Sequence, residues 1–91
     1  MEITWDDAKA QKNSKKHKGV TFEEATAVFF DALAQQFTDP HEDANRMVII
    51  GMGTKRRLLL VVYAEILDEK ITIISARLPT KNERKFYEEG I

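Results

Sequence analysis

Cysteine is absent from this chain, which excludes a disulfide framework and any thiolate metal site. Charge of one sign is also lacking. Fourteen Lys and Arg stand against fifteen Asp and Glu, for a net charge of −1. A protein that coats nucleic acid without selectivity carries a large positive balance, so that class is disfavoured. Long hydrophobic runs are missing too: the longest, Leu58 to Ala64, is far too short to span a bilayer. The opening residues MEITWDDAKA have neither a basic nor an apolar leader region, so they do not read as a secretory signal. No internal repeat, low-complexity tract or linker interrupts the chain. These absences point to a soluble cytoplasmic protein that makes no use of a membrane.

What is present is ordinary globular composition, 43% hydrophobic and 32% charged, enough for one modest core over residues 1–91 and no second domain. Charge is unevenly spread. Lys9, Lys12, Lys15, Lys16 and Lys18 crowd the first quarter, Lys55, Arg56 and Arg57 fill one loop, and Arg77, Lys81, Arg84 and Lys85 lie near the end. Local basic surface is therefore compatible with a neutral whole.

Asp6 suits the N-cap of a polar helix running through about Lys16, and Gly19 suits the left-handed position beyond its end. Thr21 and Glu24 form a capping box, and Phe22, Ala25, Phe29, Ala32, Leu33 and Gln36 recur at helical spacing, predicting a core helix to about Gln36. Thr38 to Asp43 reads as loop. Three strands follow, at Arg46–Gly51, Arg57–Glu65 and Lys70–Arg77, with turns at Gly51–Arg56 and near Leu67–Glu69. The seven apolar residues of Leu58–Ala64 predict a central strand covered on both faces. Alternation in the last strand puts Ile71, Ile73, Ser75 and Arg77 on one face. A second capping box, Thr80 with Glu83, opens a helix to about Glu89, with Phe86 as its expected core contact. The expected fold is α+β: two N-terminal helices on a three-stranded antiparallel meander, a C-terminal helix, and a short strand at Ile3–Trp5.

The chemistry concentrates at the last strand-to-helix corner, ITIISARLPTKNERKFY. Arg77 ends a strand, Arg84 and Tyr87 share a helix face, and arginine presents planar donors suited to phosphate. The plainer alternative is that Arg77 pairs with Glu83 or Glu24 and only ties helix to sheet. His17 sits among lysines, which disfavour the imidazolium, so its pKa is expected below the usual value and a neutral general base is available near pH 7. A helix-end histidine that merely hydrogen-bonds a carbonyl is the structural alternative. His41-Glu42-Asp43 lacks the spacing of a zinc site and has no second histidine nearby. Gly51-Met52-Gly53-Thr54-Lys55 lacks the spacing of a phosphate loop and reads as a hairpin turn.

The order of motifs carries more than any one of them. Trp5-Asp6, Lys9, Asn13, Lys16-His17, Gly19-Val20-Thr21-Phe22-Glu23-Glu24-Ala25, Phe29 and Asp31 come first. Arg46, Ile50-Gly51, Leu58-Leu59 and Val61-Val62-Tyr63 follow. Ile73-Ile74-Ser75-Ala76-Arg77, Thr80, Glu83-Arg84 and Tyr87 close the series. This pattern resembles the BrnT family of type II toxins across nearly the whole chain. The resemblance implies a RelE-like fold and metal-independent RNA cleavage with no cofactor. It also implies neutralisation by a BrnA-like antitoxin, with operator DNA bound only through that antitoxin. On it, Arg77 and Arg84 are expected to stabilise the phosphate, His17 or Lys16 to handle the proton, and Tyr87 to orient substrate or donate. Lys16, Arg46 and Lys81 are expected to bind RNA. The chain departs from the pattern at Ile66 and Thr72, where arginines are usual, at Pro79, and at the extra residue Lys18. The alternative to a ribonuclease is a non-catalytic interaction protein of the same fold, whose basic face holds a partner's acidic segment. A sequence-specific DNA-binding domain is disfavoured, since no candidate recognition helix carries the basic residues.

Overall fold

A computed structural model describes residues 1–38, 45–66 and 69–90. The expected loop at 39–44, with its His41-Glu42-Asp43 cluster, and the turn residues 67–68 lie outside the described residues. The elements run β1 (Glu2–Thr4), α1 (Asp7–Lys16), α2 (Phe22–Ala25), a 3-10 segment (Thr26–Phe30), β2 (Gln35–Thr38), β3 (Arg46–Met52), β4 (Leu58–Ile66), β5 (Lys70–Arg77) and α3 (Lys81–Glu89). The strands form one sheet in the order β1-β5-β4-β3-β2. The meander β3-β4-β5 is antiparallel as expected, and β4 lies at its centre. Two outer strands extend it to five: β1 runs parallel to β5, and β2 runs antiparallel to β3.

The caps form as the sequence predicts. Asp6 accepts from the Lys9 amide, and Thr21–Glu24 and Thr80–Glu83 are both reciprocal capping boxes. The second helix, however, does not reach Gln36. It tightens into the 3-10 segment after one turn and stops at Asp31, whose Oδ1 accepts from the Leu33 amide two residues on. That side-chain turn competes with helical continuation. Gln35–Thr38 then pairs as a strand, and Leu33 is left exposed rather than packed.

The sheet has cover on both faces. Val20, Phe22, Ala25 and Val28 pack with Ile49, Leu59, Val61, Tyr63, Ile71, Ile73 and Ala76 in the main core. Val48, Ile50 and Leu60 form a smaller cluster on the other face, under Phe37, Val62 and Tyr87. Tyr87, not Phe86, is therefore the main anchor of α3. Phe86 stays 45% exposed and meets Phe37 with ring centroids 5.8 Å apart. Gly51 lets the 3-10 segment approach β3, since a Cβ there would lie 2.9 Å from Val28 Cγ1.

One irregularity changes the direction of the candidate site. Tyr63 pairs with Ile73 but Val62 pairs with Ser75, so β5 carries Ile74 as an extra residue. A bulge shifts the alternation by one. Ala76 joins Ile71 and Ile73 in the main core, and its neighbour Arg77 turns to the opposite face, opposite Leu60. The strict alternation expected from sequence placed Arg77 with the isoleucines.

Candidate active site

Three elements meet around Arg77. The first is α1, which ends at Lys16 with His17 as its C-cap. Lys18 and Gly19 follow with φ of 54° and 77°, so the extra residue is accommodated by two successive left-handed positions. Only the glycine adopts this without steric penalty; the lysine position is strained by about 1 kcal/mol. The second is the end of β5. The third is the Leu78-Pro79-Thr80 corner leading into α3. Together Lys16, His17, Lys18, Arg77, Leu78, Pro79 and Thr80 line a cavity of about 350 Å³.

Asn13 fixes α1 against β5. Its buried amide donates 2.8 Å to the Ala76 carbonyl and 3.3 Å to the Val20 carbonyl, while its Oδ1 accepts from the Ala76 amide at 3.1 Å. The side chain thus takes both backbone groups of the residue before Arg77. This sets where His17 stands relative to the arginine, a positioning role that sequence reasoning missed. A lone asparagine in a lysine-rich polar helix gives little signal of burial.

Arg77 is engaged but not used up. Nη1 and Nη2 donate to the two carboxylate oxygens of Glu83 at 2.8 and 2.9 Å, and Nη1 also donates to the Leu78 carbonyl at 3.2 Å. The structural pairing expected as an alternative is therefore present, with Glu83 as partner and not Glu24. It is an end-on pairing. Guanidinium has five N–H donors, and the side edge formed by Nε and the second Nη2 hydrogen donates to no described residue. That edge is a bidentate donor of the kind that grips phosphate. Glu83 in turn is held down to about 2, chiefly by the Arg77 hydrogen bonds, against burial and with help from the Thr80 amide.

His17 has a pKa below its usual value. Partial burial is the main cause, and the charges of Lys16 and Arg77 add to it. The direction agrees with the sequence reading, although burial contributes more than the lysines. Its ring makes no hydrogen bond to any described residue, so the carbonyl-capping alternative is not what the geometry displays; His17 bonds through its backbone, its N–H donating to Asn13 O at 2.8 Å and its carbonyl accepting from the Val20 amide at 3.0 Å.

Arg84 and Tyr87 do share a face, but they line a neighbouring cavity of about 420 Å³ with Arg56 and Arg57. Leu78 and Pro79 belong to the walls of both cavities. Tyr87 Oη donates 2.7 Å to Asp31 Oδ2, which pushes the phenol up to about 12 with burial adding to the effect. Burial opposes ionisation of Asp31, but the bonds from Tyr87, Leu33 and Met52 outweigh it and hold the carboxyl below its usual range. Lys81 is exposed in the first turn of α3, outside both cavities. Arg46 lies elsewhere. Arg77 is in register with Leu60 and, across β4, with Ile50, so Arg46 begins four residues away along β3, about 13 Å. Among the described residues no group of His, Asp and Glu is placed to hold a metal ion.

The comparisons with known proteins agree with this architecture. The family described as ribonuclease toxin, BrnT, of type II toxin-antitoxin system matches residues 5–83. The crystal structure of the Brucella abortus ribonuclease toxin BrnT is similar, with a TM-score of 0.71 and 28% sequence identity over 89% of this chain and 99% of that one. No curated protein sequence matches. With the family match covering most of its length, the chain belongs to the BrnT ribonuclease toxins of type II toxin–antitoxin systems.

Proposed function

We propose that this chain cleaves RNA without a metal ion, at the cavity shared by Lys16, His17 and Arg77. The supporting observation is the convergence of a neutral-leaning imidazole with an arginine whose phosphate-gripping edge is unoccupied by described residues. In the reaction the ribose 2′-oxygen attacks the adjacent phosphorus and the bond to the 5′-oxygen breaks. His17 takes the 2′-proton as base, the departing 5′-oxygen takes up a proton from water, and the Arg77 side edge and Lys16 ammonium balance the added negative charge. Arg84 contacts the chain from the neighbouring cavity, and Tyr87 orients it there while remaining protonated. Lys81 and Arg46 lie on the approaches, one beside the cavity and one at the far end of the sheet.

The two departures that replace an arginine, Ile66 and Thr72, fall away from this cavity, whereas Lys18 and Pro79 belong to its wall. Thr72 is in register with Ala64 and thence Arg46, and its Oγ1 lies 3.3 Å from Thr4 Oγ1. Ile66 is exposed at the end of β4. Neither replacement subtracts charge from the Arg77 corner, which favours an active enzyme over a degenerate interaction domain.

As a type II toxin it has an antitoxin partner. On the proposed reading that partner is BrnA-like, contacts operator DNA itself, and neutralises the toxin in the cytoplasm. No helix among the described residues is long and apolar enough to cross a membrane. Incubation of the purified protein with total RNA tests the activity. Cleavage that survives a chelator and stops on addition of the antitoxin is expected; intact RNA at high enzyme concentration would sink the ribonuclease reading.

A further inference from the structure

We infer that Lys9, Lys12 and Lys16 form a track for the phosphates of single-stranded RNA along the edge of β5, leading into the Arg77 cavity; this rests on the ribonuclease reading for its substrate. The groove is about 300 Å³ and is lined by Lys9, Lys12, Asn13, Lys16, His17, Ile74 and Ser75. Lys16 and His17 belong to it and to the Arg77 cavity alike, so the two are continuous.

Three observations favour a polyanion. The lysines stand at i, i+3 and i+7, one stripe of about 10 Å on a single helix face. All three are exposed, and none forms an ion pair with any described residue, whereas Arg57, Arg77 and Arg84 each do. No carboxylate lines the groove. Like charges at these spacings disfavour the helix, and only Lys16, in its last turn, is favoured there by the helix dipole. Its wall offers no Phe, Tyr or Trp on which a base could stack. Recognition there is of backbone charge, tolerant of sequence and steeply dependent on salt. An acidic protein segment is the other polyanion to consider. Continuity with the reacting corner favours RNA, because a strand held there places its next phosphate at Arg77.

The test measures binding apart from cleavage. A 2′-O-methyl RNA oligonucleotide, which has no attacking hydroxyl, is titrated by fluorescence anisotropy over a range of salt concentrations. Wild type is compared with K9Q/K12Q and with K9R/K12R. Each phosphate contact on a single strand contributes a salt slope of about 0.7, so K9Q/K12Q is expected to lower the slope by about 1.4, and K9R/K12R to restore it. An unchanged slope, or no binding by wild type, overturns the track. The catalytic reading is judged separately by cleavage of unmodified RNA. Cleavage with an unchanged slope removes the track alone, and a lowered slope without cleavage upholds it while removing the nuclease. If K9Q/K12Q instead weakens only antitoxin binding, the lysines serve a protein partner and the RNA track is refuted.

Discussion

Two arginine–glutamate pairs in this molecule are alike on paper and different in use. Arg57 grips Glu24 and Arg77 grips Glu83, each through two hydrogen bonds of 2.8 to 2.9 Å. Each glutamate is also the N3 residue of a capping box. They differ in burial and in the edge employed. Glu24 is 1% exposed and receives Nε and Nη2 of Arg57, with the Thr21 amide at 3.0 Å and Lys55 at 3.8 Å. The Arg57 hydrogen bonds hold its carboxyl below the usual range despite burial. Glu83 is partly exposed and receives Nη1 and Nη2 of Arg77. The first pair spends the arginine's side edge on tying α2 to the β3–β4 hairpin, and the second leaves that edge without a hydrogen bond to any described residue. An ion pair does not retire an arginine from binding; the edge it uses decides.

The largest expected effect belongs to the buried pair. Arg57→Ala strands a buried carboxylate and is expected to cost about 3–5 kcal/mol, read as a lower urea midpoint. Should it cost no more than Arg77→Ala, the contrast between the pairs collapses. Arg77→Ala is expected to lower RNA cleavage by about a hundred- to a thousandfold, the usual loss when a preorganised donor to transition-state charge is removed. Its stability cost is only about 1 kcal/mol, since Glu83 returns to solvent. Retained cleavage in a folded Arg77→Ala protein would make both arginines structural.

A smaller effect is expected from Glu83→Gln, which keeps a capping side chain but loses the charge. It should destabilise by about 1 kcal/mol at neutral pH. Because the Glu83 pKa is lowered from 4.5 to about 2, its contribution is complete above 4.5 and fades as pH falls through 2. Urea melts of the two proteins should therefore converge over that window, and a gap persisting below it would contradict the assignment. The smallest shift concerns His17. Lys16→Gln removes one of the charges that lower its pKa, so the imidazole midpoint followed by NMR should move upward. The acidic limb of the cleavage profile should move with it; a limb that stays put identifies a different base.

The sequence carried the parts of this fold that rest on local chemistry. Both capping boxes, the Asp6 cap, the central position of β4 and the limits of β5 were legible because each follows from side chains a few residues apart. The 3-10 segment and β2 were not, because Phe29, Ala32 and Leu33 continue a helical period past the point where Asp31 turns the chain. Asp31 does so partly through bonds to Met52 and Tyr87, partners that are distant in sequence. The bulge at Ile74 was equally hidden: nothing in a run of β-branched residues marks which one is supernumerary. The candidate residues could be named from the sequence, but their geometry could not. Arg77, His17 and Lys16 converge, Arg84 and Tyr87 form a second group, and Arg46 stands apart by register.

Asn13 has a consequence for assembly. Beyond Thr72, the last residue paired to β1, the outer edge of β5 would present unpaired amides and carbonyls to solvent. Such an edge invites strand addition from a neighbouring chain. By occupying the N–H and C=O of Ala76, the Asn13 amide stands in for a strand residue and closes that stretch to recruitment. Asn13→Ala would reopen it, and the expected outcome is self-association through β5 at concentrations where the parent protein remains dispersed.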